Sequence, residues 1–157
     1  MSGRFYKLLV CATLLYGANA HAFGLLGNEF SFGMAMPAPT GLSFKFWTSR
    51  DTAIDLLTEW NTGDRLLAAH ADFLTHDFQQ FEMEGATMPM YYGFGVRVRT
   101  SKDSSTRIGV RIPIGISYLW NTAPLDFFGE LGPRSDVIPS TNFSVDIMLG
   151  LRYRFIP

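Results

Sequence analysis

The chain has 157 residues, of which 47% are hydrophobic, 15% aromatic and 17% charged, with a formal net charge of -1. That is one domain's worth of chain, too apolar for a disordered polypeptide and too near neutrality for the usual electrostatic attraction to nucleic acid. A single Cys excludes an internal disulfide and a cysteine-based zinc site.

The first segment has the layout of a secretory signal. Arg4 and Lys7 form a short basic head, and Leu8 to Tyr16 is an apolar run too short to span a membrane as a helix. Small residues follow in two frames that suit signal peptidase, Ala18-Asn19-Ala20 and Ala20-His21-Ala22. The expected division is a signal peptide over 1–22, with Ala20 as the other cleavage position, and one exported domain over 23–157. Val10 precedes Cys11 where a lipidation site needs a small residue, so no lipid anchor is expected. Loss of Arg4 and Lys7 leaves 11 basic residues against 14 acidic ones, about -3.

Beyond the leader, no window holds a helical period. Alternation with period two recurs instead, punctuated by turn residues. Eight strands are predicted, over about 28–36, 41–48, 52–60, 65–77, 88–99, 107–120, 125–133 and 142–155. The breaks are Pro37-Ala38-Pro39, Ser49 to Asp51, Asn61 to Asp64, Ser101 to Thr106, Asn121 to Pro124 and Pro133 to Thr141. Residues 78–87 read either as a loop or as a hairpin extension. In the last strand Phe143, Val145, Ile147, Leu149, Leu151, Tyr153 and Phe155 share one face, opposite Ser144, Asp146, Met148, Gly150, Arg152 and Arg154. The sixth repeats the pattern from Ile108 to Trp120, except that Pro113 removes a ladder donor in mid-strand and predicts a bulge or break.

Three features place the apolar face outside, against lipid. Gly33, Gly93, Gly95, Gly109, Gly115 and Gly150 gather on the polar face, as a crowded narrow lumen requires. Bulky aliphatic and aromatic residues fill the other face, with Tyr, Trp or Phe near the strand ends. The polar-face charges also balance: Glu29, Asp55, Glu59, Asp72, Asp126, Glu130 and Asp146 against Lys45, Arg97, Arg99, Arg107, Arg111, Arg152 and Arg154. Enclosed charges must be paired, so these residues, with His70, are the expected lumen network. The fold class expected is all-β, an eight-stranded antiparallel up-and-down transmembrane barrel. Closure leaves no free edge in hydrocarbon, and an even strand count puts both termini on the periplasmic side.

The ending Leu149-Gly150-Leu151-Arg152-Tyr153-Arg154-Phe155 resembles the C-terminal recognition signature of outer-membrane barrels, here followed by Ile156 and Pro157. Together with Gly41 to Trp47, Thr52 to Asp55, Arg107 to Trp120 and Pro124 to Phe128, it is similar to small bacterial outer-membrane barrels. That group includes a spirochaete-type family and is compared with OmpA- and OmpX-type barrels. The resemblance implies an outer-membrane location, contact with outer-membrane lipid, recognition of the C-terminal strand by the barrel-assembly machinery, and no catalytic residues.

No catalytic, metal or cofactor constellation emerges. His70 and His76 lie ~20 Å apart along one strand and cannot share an ion. Gly93-x-Gly95 lies inside a strand and is not a phosphate loop. No lipid face carries the His and Ser of a deacylase. The expected function is therefore a monomeric barrel with a filled lumen and an anchoring, structural or surface-interaction role. The alternatives are a lipid A-modifying barrel enzyme and a soluble periplasmic barrel with inverted faces that binds an apolar ligand.

Overall fold

The structure is a computed structural model that describes residues 29–36, 40–61, 66–79, 81–101 and 104–156. The expected signal peptide over 1–22 lies outside these residues, as do the predicted turns at 37–39 and 62–64.

Among the described residues, eleven strands form one antiparallel sheet: β1 (Phe30–Met36), β2 (Thr40–Trp47), β3 (Thr52–Asn61), β4 (Leu66–Asp77), β5 (Glu82–Met83), β6 (Ala86–Thr87), β7 (Met90–Ser101), β8 (Ser104–Arg111), β9 (Ile114–Trp120), β10 (Leu125–Ile138) and β11 (Asn142–Phe155). β8 and β9 are two halves of one stave, and β5–β6 is a small hairpin on the rim. The eight staves close because β11 pairs with both β10 and β1. The chain is thus an eight-stranded antiparallel up-and-down barrel with the architecture of a transmembrane one.

The register sets its shape. Following partners from Gly33 through Ser43, Leu57, His70, Arg97, Gly109 and Asp136 leads to Asn142 on β11, ten residues before Arg152, Gly33's own partner there. A shear of ten on eight strands tilts each strand by about 40° and leaves a bore that side chains can fill.

The apolar face is outside. Phe94 is 68% exposed, Ile112 56% and Leu149 48%, whereas Arg97 is 4% exposed. Inside, the glycines make room for large neighbours. A Cβ on Gly150 would collide with the ring of Phe128, and one on Gly115 with the ring of Tyr91.

Two local expectations are refined. Pro113 does break its stave, between β8 and β9. The backbone stays bonded across the break, with Gly93 N–H donating to Pro113 O at 3.0 Å and Ile112 N–H to Pro133 O at 2.9 Å. The turn expected from Pro133 is a correction: β10 runs on to Ile138. Pro133 is tolerated because it faces that same break, so neither proline deprives an intact ladder of a donor.

The long connection after β4 extends the sheet. β7 pairs with β9 only over Met90–Tyr92, and β6 continues the pairing beneath it with Ala86 opposite Trp120 and Thr87 opposite Leu119. Asn121 N–H and Ser117 N–H close the seam onto Gly85 O and Pro89 O at 3.1 and 3.0 Å. The hairpin turns at Gly85, whose φ of 84° lies in the left-handed region.

Candidate functional site

The inward face of the barrel carries the polar residues that alternation singled out, and the register stacks them in tilted rings. One ring runs Ser31, Lys45, Asp55, Asp72, Gly95, Arg111, Arg134 and Ser144 around the staves. Three groupings of charge follow from this stacking.

The first centres on Arg152. Its guanidinium bonds Asp55, reaches Asp126 at 3.4 Å and donates through Nε to Ser43 Oγ at 2.7 Å. It also lies 3.7 Å over the Phe128 ring, the ring for which Gly150 makes room. Lys45 Nζ is 4.0 Å from Asp126 and sits over the rings of Trp47 and Tyr91 at 4.5 and 5.4 Å. The second centres on Arg111, which holds Asp72 at 2.9 Å and bonds Glu130, while the Tyr91 hydroxyl donates to Glu130 Oε2 at 3.0 Å. His70 bridges onward, 3.6 Å from Asp72 and 3.4 Å from Glu59.

The third grouping lies toward the end holding the β1–β2, β3–β4, β7–β8 and β10–β11 connections. Arg97 bonds Glu59 and stands 4.0 Å from Asp146. Arg134 reaches Asp146 at 3.4 Å and donates to Ser144 Oγ at 2.6 Å. Arg107 and Asp136 are 3.7 Å apart. Arg99 stands opposite Arg107 in register, and no carboxylate of the described residues lies within ion-pair distance of it. At the opposite end Arg154 clasps Glu29 at 2.6 and 3.2 Å.

Sequence reasoning missed four participants. Arg134 and Asp136 were assigned to a turn because Pro133 precedes them, yet Gly132, Arg134 and Asp136 continue the inward alternation past that proline. Ser43 and Tyr91 carry no charge, so a count of balanced charges passes over them. His76 is not a network charge at all. Trp47, Phe78 and Tyr91 surround its ring at centroid distances of 4.4, 6.2 and 5.3 Å, and its Nδ1 lies 3.2 Å from Asp51 O. This aromatic cluster closes the lumen at the end that holds Glu29 and Arg154. Among the described residues, the lumen is thus occupied by side chains.

No protein-family model matches the sequence, and no curated protein matches it. The fold has solved counterparts. The N-terminal β-barrel domain of Pseudomonas aeruginosa OprF superposes with a TM-score of 0.52 at 14% identity, over 81% of this chain and 96% of that one. Neisserial surface protein A superposes with a TM-score of 0.43 at 16% identity, over 81% of this chain and 94% of that one. The OprF domain independently supports the barrel architecture.

Proposed function

We propose that this chain is an outer-membrane β-barrel with a filled polar lumen, serving as an anchored structural or surface-interaction element of the envelope. The observation that carries the reading is the inside-out distribution around a closed ring: apolar side chains outward on every stave, paired charges at the centre. Outer-membrane lipid covers that exterior, and the C-terminal strand is the element offered to the barrel-assembly machinery. The barrel acts as a monomer. The inverted faces of a soluble barrel are the reverse of what the exposures show. Ser31, Ser43 and Ser117 lie fully buried on the lumen side, which supports a non-enzymatic role over lipid modification at the outer wall.

Heat-modifiable migration tests this reading. Unboiled protein from the outer-membrane fraction is expected to migrate differently from boiled protein. Identical migration, or recovery of the protein in an osmotic-shock supernatant, would overturn it.

A further inference from the structure

β4 turns two histidines into the lumen, and their surroundings differ. His70 is 5% exposed and His76 4%. His70 Nδ1 lies 3.4 Å from Glu59 Oε1, and its Nε2 lies 3.6 Å from Asp72 Oδ2. A carboxylate oxygen only accepts, and a neutral imidazole has a single N–H. Whichever tautomer it took, a neutral ring here would turn a lone pair toward one of the two carboxylates. A ring with a hydrogen on each nitrogen donates toward both.

His76 has no carboxylate of the described residues within ion-pair distance. Its Nδ1 lies 3.2 Å from Asp51 O, an acceptor, so the ring hydrogen belongs on Nδ1. Its Nε2 is buried without a hydrogen-bond partner, in a ring packed among Trp47, Phe78 and Tyr91. A second hydrogen there would bury a cationic N–H with nothing to accept it. Lys45 Nζ already stands over the Trp47 and Tyr91 rings, and a second positive charge beside it is disfavoured.

The enclosed charges agree. Among the described residues at most 5% exposed, the carboxylates are Asp55, Glu59, Asp72, Asp126 and Glu130, and the Lys and Arg cations are Lys45, Arg97, Arg111 and Arg152. The carboxylates exceed those cations by one, and His70 lies between two of them. Asp136, at 7%, is answered by Arg107 nearer the rim. Unbalanced charge is costly to enclose.

We infer that the two lumen histidines hold opposite charge states: His70 is a cation shared by Glu59 and Asp72, and His76 is a neutral ring. The His70 proton is then the joint between the Arg97–Glu59 grouping and the Arg111–Asp72 grouping. This rests on closure of the ring of strands, whatever covers its outside. The other charged groups around His70 are Arg97, in register with it on β7, and Asp55, beside Asp72 on β3. Arg111 of β8 and Glu130 of β10 follow behind Asp72, and Asp146 of β11 behind Arg97. Imidazole is the one cation of this set that ordinarily titrates near neutrality. Loss of its proton leaves two buried carboxylates facing a ring that can donate to only one of them. The joint therefore weakens as the pH rises.

The test is the ring-nitrogen NMR spectrum of the full chain, folded in dodecyl maltoside micelles at neutral pH with nitrogen-15 histidine. The signals lost in His70→Gln and in His76→Phe assign the two rings, and either variant alone is enough if the other does not fold. Both His70 nitrogens are expected at the N–H position. His76 is expected to show one N–H nitrogen, Nδ1, and one bare nitrogen. A bare nitrogen in His70 would overturn the inference, as would a neutral ring beside a protonated Asp72 carboxyl, read from the carboxyl carbon. A doubly protonated His76 would overturn the contrast. The urea midpoint of the unsubstituted chain is expected to fall between about pH 6 and about pH 9, and that of His70→Gln to fall by less. Equal falls would show that the joint carries no coupling. Adding Glu59→Gln to His70→Gln removes the surplus carboxylate and is expected to recover part of the loss at neutral pH; no recovery would overturn the charge argument. Heat-modifiable migration of each sample separates failure of the joint from failure of the barrel.

Discussion

The two halves of the lumen pair their charges alike but enclose them to different depths. Toward the termini, Arg152 and Arg111 each hold two carboxylates, and Arg152, Arg111, Lys45, Asp126 and Asp72 are all at most 2% exposed. Trp47, His76, Phe78 and Tyr91 close that end. Toward the opposite rim the side chains of Arg107, Asp146 and Arg134 are 40%, 21% and 12% exposed. The balance of charge seen in the sequence also divides unevenly. The terminal half holds Glu29, Asp55, Asp72, Asp126 and Glu130 against Lys45, Arg111, Arg152 and Arg154, whereas the other holds Glu59, Asp136 and Asp146 against Arg97, Arg99, Arg107 and Arg134. Depth of burial therefore separates the two halves: near the far rim Arg107, Asp146 and Arg134 keep partial solvation that Arg111 and Arg152 lack.

The comparison is broken most severely by removing a hub from the closed half. Arg152→Ala leaves Asp55 and Asp126 buried without their main partner and strips the cation from the Phe128 ring. A loss of about 3–5 kcal/mol is expected, read as a lower urea midpoint for unfolding of the barrel in lipid vesicles. Replacing Asp55 and Asp126 by Asn in the same chain is expected to recover part of that loss. No recovery would mean that Arg152 acts through packing and not through charge.

Next in size is a charge placed on the outer wall. Phe94 sits midway along β7 and packs against Phe73, with ring centroids 5.9 Å apart. Phe94→Arg is expected to cost about 2–4 kcal/mol in vesicles. A cost near zero would contradict a lipid-facing exterior. A smaller loss, about 1–3 kcal/mol, is expected for Gly150→Val, because its side chain meets the Phe128 ring and must displace it from Arg152. The same urea titration reads it, and Phe128→Ala in the same chain is expected to relieve the part of the clash due to the ring, leaving the close approach to Met34 O.

These effects separate what the sequence could reveal from what it could not. Period-two alternation is a property of neighbouring residues, so strands such as β4, β7 and β11 and the identity of their inward residues were legible from composition and order alone. The register across strands is not local. That Arg152 reaches Asp55, far away in sequence, follows from a shear that only closure of the ring defines. Pro133 misled because a proline ends a strand only when its missing N–H faces an intact neighbour. Its neighbour is itself broken at Pro113, and no single-strand pattern carries that coincidence.

The mildest change sharpens the contrast from the open side. Arg107 pairs with Asp136 at 3.7 Å while remaining 40% exposed, and it faces Arg99 across the β7–β8 ladder. A solvated pair at that distance contributes little, and removing one of two like charges in register offsets part of the loss. Arg107→Ala is therefore expected to change stability by less than about 0.5 kcal/mol, a small fraction of the Arg152→Ala effect under the same urea titration. Raising the salt concentration is expected to shrink even that difference, because exposed charges are screened and enclosed ones are not. An Arg107→Ala loss comparable to that of Arg152→Ala would show that the outer half is as tightly coupled as the inner one, and the division of the lumen into a closed and an open half would fail.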